Sequence, residues 1–340
     1  MENSDNHQWK NMRVAAIGGG TGLAMLLRGL KKYTANLAAI VNVTDDGGSS
    51  GRLRQNMNML PPGDIRNCLL ALADTEPLLE KIFQYRFTAG EGLEGHNLGN
   101  LFLAALSDVF GFEEALAAAG KVLAVKGKVL PVTLDKLHLV AEFYDGSQVM
   151  GESRIPAQRR KITRLRLEPA CSVVYPAARQ AILEADLVVV GPGSLYTSVL
   201  ANLLVSGVTE AIRESSACKV YVCNCMTQLG ETDNYTAADH LQAIEDHVGT
   251  GLFHAVIVNA DLSMPPELLH KYSLEGARPV RPDLQRLHNF QFRVLTDDLL
   301  FREELVRHDP DRLAKLLLSV AQEGGKKEQV PFRHQKRCVP

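Results

Sequence analysis

The sequence predicts an α/β fold, a Rossmann-like doubly wound, mainly parallel sheet with a small antiparallel β hairpin region. Three observations carry this reading. Short apolar strands alternate with amphipathic helices at both ends of the chain. Four glycine-rich or polar loops follow strand ends, where open parallel sheets bind ligands. Between residues 127 and 167 the hydrophobic period changes from helical spacing to two.

The elements follow in order. Val14–Ile17 reads as a buried strand, Gly18–Gly22 as a sharp turn and Leu23–Lys32 as an amphipathic helix, with Leu37–Val43 as the next strand. This β-α-β unit implies parallel pairing and a right-handed crossover. Pro62-Gly63-Asp64 opens a helix to Asp74 with Asp64 as its N-cap. Helices are expected over Leu78–Phe87, from the Asn97 region to Val109, and over Phe112–Val122. Lys128–Thr133, Leu137–Phe143 and Gln148–Gly151 read as antiparallel strands with a turn at Asp145-Gly146. Parallel patterning resumes with a helix to Glu184, strands over Asp186–Val190, Lys219–Asn224 and Phe253–Asn259, a helix over Thr236–His247 and a last helix over Asp311–Gln322. One domain over residues 13–323 results, with a loose N-terminal tail (1–12) and a basic C-terminal tail (324–340).

Composition narrows the function. The chain has 340 residues, 46% hydrophobic and 22% charged, ample for one buried core. A formal net charge of −2 provides no global attraction for nucleic acid or an anionic membrane. No apolar run approaches the roughly 20 residues that span a bilayer, and Met1–Met12 lacks the apolar core of a signal peptide. Six cysteines form no C-x-x-C pair, and free thiols suit a reducing cytosol, so a cytoplasmic location is expected. Cys223 and Cys225 are expected to be buried together.

Chemistry concentrates in the loops. Residues 45–54, Asp-Asp-Gly-Gly-Ser-Ser-Gly-Arg-Leu-Arg, gather carboxylates, bare backbone, hydroxyls and guanidiniums. Gly47, Gly48 and Gly51 let amides approach an anion, Ser49 and Ser50 add donors, and Arg52 and Arg54 suit phosphate oxygens. Asp45 and Asp46 either hold a bridging Mg²⁺ or hydrogen-bond to the glycine loop. Gly18 and Gly20 begin a dinucleotide fingerprint, but its third glycine falls on Leu23, and Gly22 is one residue early. A diphosphate cradle at the helix start stands, and an NAD site is disfavoured. No Walker lysine follows any glycine loop. Gly191–Ser198 offers Ser194 and Thr197 for a second phosphate or a sugar, and its G-P-G-S-L order is not a nucleophile elbow. Met226–Thr232 carries Thr227 and Gln228, suited to sugar hydroxyls or amides. Asn97 and Asn100 could read a base or sugar hydroxyl beside His96, while Asp64, Arg66 and Asn67 form a further cluster. Asp239-His240 reads as a surface pair.

Taken together, Gly-Gly-Gly-Thr-Gly at 18–22, the 45–54 run, Pro-Gly-Asp-Ile-Arg-Asn at 62–67, Gly-His-x-x-Gly-Asn at 95–100, Gly-Pro-Gly-Ser-Leu-Tyr-Thr-Ser at 191–198 and Met-Thr-Gln-x-Gly-Glu-Thr at 226–232 resemble the CofD/YvcK family. This family contains 2-phospho-L-lactate transferase and bacterial gluconeogenesis factors. Gly-Glu-Ser at 151–153 and Val-Arg-His-Asp at 306–309 are similar to the gluconeogenesis-factor branch. The resemblance implies a Rossmann-like fold binding a nucleotide diphosphate or a UDP-sugar such as UDP-N-acetylglucosamine. It implies a role in cell shape and wall synthesis during gluconeogenic growth, with no required cofactor. It places Gly19, Gly20, Thr21, Gly22, Asp46, Gly48, Ser49, Ser50, Arg52, Arg54, Asn67, Asn97, Asn100, Gly193, Ser194, Thr197, Thr227 and Gln228 near the ligand. Tyr272 would lie against base or sugar and Arg307 would meet the diphosphate. The alternative it implies is a Mg²⁺-dependent transferase in which Asp45 and Asp64 hold the metal. A homo-oligomer is compatible with either reading. Leu229 and Ala201 stand where the family often has proline.

Overall fold

The computed structural model describes residues 8–74, 76–302 and 306–324. Its centre is a seven-stranded parallel sheet with strand order β10-β9-β8-β7-β1-β2-β3. The strands are β1 (Val14–Gly18), β2 (Leu37–Val41), β3 (Lys128–Pro131), β7 (Leu187–Val190), β8 (Cys218–Val222), β9 (Ala255–Asn259) and β10 (Arg293–Asp297). A second sheet, ordered β5-β4-β6, is antiparallel and comprises β4 (His138–Phe143), β5 (Gln148–Met150) and β6 (Ile162–Glu168). A third pairs β11 (Leu300–Arg302) with β12 (Val306–His308).

Helices α1 (Gly20–Leu30), α2 (Gly48–Asn56), α3 (Gly63–Leu72), α4 (Pro77–Gln84), α5 (Leu98–Phe110) and α6 (Phe112–Val122) precede the antiparallel sheet. After it come α7 (Pro176–Glu184), α8 (Val208–Glu214), α9 (Ala237–Val248), α10 (Pro266–Leu274) and α11 (Pro310–Gly324). The central strands are apolar throughout because both faces are covered. Val14 and Ala16 of β1 pack into a cluster with Leu26, Leu27, Leu69 and Leu317. Ala15 and Ile17 face the opposite cluster, with Leu139, Phe143, Ile182 and Leu241.

Several expectations change. Strand β3 pairs in parallel with β2, from Ala38↔Lys128 to Val41↔Pro131, and is an edge of the main sheet, not part of the hairpin region. Period-two patterning cannot distinguish an edge strand of the main sheet from a strand of the antiparallel sheet, since β3 also alternates in burial. The antiparallel partner is instead β6, inside the basic run. Strand β10 went unpredicted because its exposed Arg293 and Asp297 break the apolar pattern. Trp9, expected in a loose tail, is 5% exposed, hydrogen-bonds Gln322 and meets Tyr33 edge-on. Residues 1–7 and the basic stretch 325–340 lie outside the described residues. Asp239 is the capping-box partner of Thr236 and His240 is fully buried, so these two are not a surface pair. Cys223 and Cys225 are both buried. Among the described residues no helix is long and apolar enough to cross a membrane.

Candidate functional site

Strand order locates the site. The chain leaves β1 toward β2 on one side, whereas β7 lies on the other, so the topological switch falls between β1 and β7. Ligands of open α/β sheets bind in the crevice outside the strand ends at such a point. Loops Gly19–Gly22 and Pro192–Ser194 meet there and line a crevice of about 270 Å³. Asn224, Cys225, Met226 and Gln228, just beyond β8, continue the wall, and Val306, Arg307 and His308 of β12 close it.

Close backbone contact shapes this crevice. The N-cap of α1, Gly19, has no side chain; Asp64 takes the Gly20 N–H, and the next first-turn amides are left for an anion. A Cβ on Gly22 would sit 2.5 Å from the Pro192 carbonyl oxygen. The glycine that is off-register for a dinucleotide fingerprint therefore serves the meeting of two loops. Gly193 donates its N–H to Asn224 Oδ1 at 3.0 Å, and Gln228 Nε2 donates to Ser194 Oγ at 2.7 Å, locking the β7 and β8 loops together. His308 is 6% exposed, and burial pushes its imidazole down to about 4, so it is neutral near pH 7.

Beside the crevice lies an acidic wall. A Cβ on Gly19 would come within 2.6 Å of Asp64 Oδ2, and one on Gly63 within 3.0 Å of Asp45 Oδ2. Asp64 does not cap its helix: Pro62 occupies the N-cap position and Asp64 lies within the first turn of α3. Its carboxylate instead accepts the Gly20 N–H, while burial and the nearby Asp45 raise its pKa to about 6. Glu152, from the antiparallel region, joins this wall. It accepts from Asn42 Nδ2 at 3.0 Å and from the Thr44 hydroxyl, and burial and Asp64 raise it well above the usual carboxylate range. No group of three His, Cys, Asp or Glu among the described residues could hold a metal ion. Mg²⁺ needs only one or two carboxylates when phosphate oxygens and water complete its shell. The Asp45–Asp64 pair fits it in that form only.

The structure brings together Gly19, Gly20, Thr21, Gly22, Gly193, Ser194, Gln228 and Arg307 on one crevice. Other expected residues stand elsewhere. Arg54 is 7% exposed and donates to the backbone carbonyls of Thr44 (3.1 Å) and Leu137, and it does not line the crevice. Asp46 accepts the Ser153 N–H at 2.8 Å. Gly48 begins α2, and Ser50 is buried against Gly63. Ser49 Oγ lies 3.1 Å from His96 Nδ1 and accepts from the Asn97 N–H and from Asn100 Nδ2. Asn97 caps α5. Asn67 and Asn100 accept from Arg66 at 2.8 and 2.7 Å. Arg52 donates to the Glu94 carbonyl at 2.7 Å. Thr197 donates to Glu231, whose burial raises its pKa to about 7, and Thr227 accepts the Arg278 N–H. Tyr272 accepts the Val306 N–H at 2.9 Å and so holds the strand that carries Arg307.

Sequence reasoning missed Asn224 and His308 as crevice residues. Asn224 follows β8 directly, so the strand-end rule could have found it, whereas His308 carries no signal beyond its neighbour Arg307. A larger cavity of about 550 Å³ runs along edge strand β3 between Leu69, Leu116 and Tyr175. It holds none of the strand-end motifs.

Comparison with known proteins identifies the family. Residues 14–300 match the family described as 2-phospho-L-lactate transferase CofD. A gluconeogenesis factor of Bacillus subtilis is 47% identical over 313 residues, covering 92% of this chain and 98% of that one. A gluconeogenesis factor of Halalkalibacterium halodurans is 47% identical over 311 residues, covering 91% and 96%. A crystal structure of a UPF0052 family member from Bacillus halodurans superposes with a TM-score of 0.88 at 47% identity, covering 91% of this chain and 100% of that one. With the match spanning nearly the whole α/β domain, the chain belongs to the CofD family, and its relatives in that family include proteins named gluconeogenesis factor.

Proposed function

We propose that the switch-point crevice binds a nucleotide diphosphate sugar of the UDP-N-acetylglucosamine type, and that the protein acts in the cytoplasm as a gluconeogenesis factor supporting cell shape and wall synthesis. The observation that carries this reading is the convergence of the glycine-rich α1 start, the Gly193–Ser194 turn and Arg307 on one crevice. Amides and a guanidinium there suit the diphosphate. Gln228 and Ser194, already paired with each other, suit sugar or base polar groups.

Calorimetric titration with UDP-N-acetylglucosamine, GDP and NAD, with and without Mg²⁺, tests it. The UDP-sugar is expected to bind tightest, and tight GDP binding with silence toward UDP-sugars would sink the reading. Arg307→Ala is expected to weaken UDP-sugar binding by roughly tenfold or more, the scale of one or two charge-assisted hydrogen bonds, with the melting temperature unchanged.

The acidic wall favours one other reading, phospholactyl transfer. A hydroxyl oxygen of an acceptor would attack phosphorus in a nucleotide-activated phospholactate. The bond to the nucleoside monophosphate would break, and the hydroxyl proton would pass to Asp64, whose burial already favours its protonated form. Mg²⁺ held chiefly by Asp45 would offset phosphate charge. Release of nucleoside monophosphate that depends on acceptor and on Asp64 would establish this reading over simple binding.

A further inference from the structure

We propose that the segment Glu94–Asn100 forms a second anion site, apart from the switch-point crevice, where Arg52, Arg66, Arg86 and His96 receive the phosphoryl group of a small phosphomonoester. The proposal does not depend on what the crevice binds.

Three arginines from three other segments bracket this short stretch, which itself carries His96. Arg52 of α2 donates to the Glu94 carbonyl at 2.7 Å, and Arg86 donates to the adjacent Gly95 carbonyl at 2.8 Å. A Cβ on Gly95 would lie 3.1 Å from Arg52 Nη2, so the guanidinium packs against the turn itself. His96 follows, with Nδ1 held 3.1 Å from Ser49 Oγ. Arg66 of α3 reaches the far end of the segment and donates to Asn100 Oδ1 at 2.7 Å.

These cations feel one another. Arg86 lowers the pKa of Arg66, and both Arg52 and Arg86 lower that of His96, in each case after the larger effect of burial. Like charges gathered at one place destabilise a fold unless something opposes them. Asp64 and Asp45 act on Arg66 from a distance, but among the described residues no ion pair includes Arg52, Arg66 or Arg86. Arg66 Nε is buried and has no hydrogen-bond partner. A buried donor left unpaired is costly, and such costs in native proteins call for a reason. Two helices, α2 and α5, also begin here, at Gly48 and Leu98, and their N-terminal dipoles add positive potential.

An anion is the species that offsets this accumulation. Its size follows from burial. Arg52 and Arg86 are exposed, whereas His96 is 7% exposed, so the cluster runs from the surface inward around one seven-residue stretch. A compact phosphoryl group meets that geometry, with its oxygens taking guanidinium forks in the usual charge-assisted manner. A nucleic-acid backbone would need an extended basic stripe.

Histidine ring NMR of the full chain, titrated with inorganic phosphate at constant ionic strength, tests the site, with the His96 signal assigned by its loss in His96→Gln. Phosphate is expected to shift that signal saturably and to raise the His96 pKa. The double variant Arg52→Gln/Arg86→Gln, at exposed positions, is expected to keep its melting temperature and lose about tenfold or more in phosphate affinity. Arg307→Ala is expected to leave the His96 response intact, which separates this site from the crevice. The proposal is overturned by an unsaturable or absent response at His96, by equal phosphate affinity in the double variant, or by loss of the response in Arg307→Ala. Binding of an oligonucleotide without binding of inorganic phosphate would also overturn it.

Discussion

The loop after β2 and the loops after β1 and β7 are equally rich in glycine and polar groups, yet they do opposite things. After β2, most polar side chains of the loop and of α2 are spent inside the protein. Asp46 ties down the Ser153 amide, Ser49 joins His96, Asn97 and Asn100, and Arg54 bonds two carbonyls. At the switch point, backbone approaches backbone, and only the first amide of α1, that of Gly20, is taken by a side chain, Asp64. The same residue types thus build a scaffold in one place and a binding crevice in the other. Position relative to the switch decides which.

Breaking the scaffold should cost most. Arg54→Ala removes a buried guanidinium and orphans the Thr44 and Leu137 carbonyls, so a loss of about 3 kcal/mol is expected in urea unfolding. A stability change within error would show the loop to be held by other means. Gly22→Ala sets a methyl carbon 2.5 Å from the Pro192 carbonyl and should cost about 2 kcal/mol while also weakening nucleotide binding. Binding retained at full strength would separate the Gly22 contact from crevice shape.

Asp64 sharpens the comparison through pH. Its folded pKa, about 6, lies above its ordinary value of 3.8, so the folded state favours the protonated form. The resulting penalty is absent below about pH 4, grows as pH rises toward 6 and is then constant. Asp64→Asn should therefore stabilise the protein at pH 8 by about 2–3 kcal/mol and have little effect at pH 4. Equal effects at both pH values would mean that the carboxylate is not destabilised where it stands. The smallest expected effect is Asn97→Ala, about 1 kcal/mol from loss of the α5 cap, measured by thermal unfolding.

How much of this was legible differs residue by residue. Strands β1, β2 and β7 were readable because strands buried on both faces are apolar throughout. The helix Phe112–Val122 has the bounds its periodicity predicts. The carbonyl contacts of Arg54 were not legible, because a guanidinium suits a phosphate and a pair of carbonyls equally well in sequence. Asp64 was misjudged because a carboxylate at a helix start usually caps it, whereas here it turns to another element, Gly20. The cluster of Arg52, Arg66, Arg86 and His96 was invisible, since it is assembled from four separate segments.

The sequence by itself determined the class of fold, the order of its loops and the chemistry they carry, because hydrophobic period and glycine turns are local properties. Only the tertiary structure decided which loops meet. Strand order put the β1 and β7 turns side by side, placed β3 at an edge of the main sheet and brought Arg307 across to the crevice from near the chain's end. Those choices depend on long-range pairing, where one polar loop resembles another until its neighbours are in place.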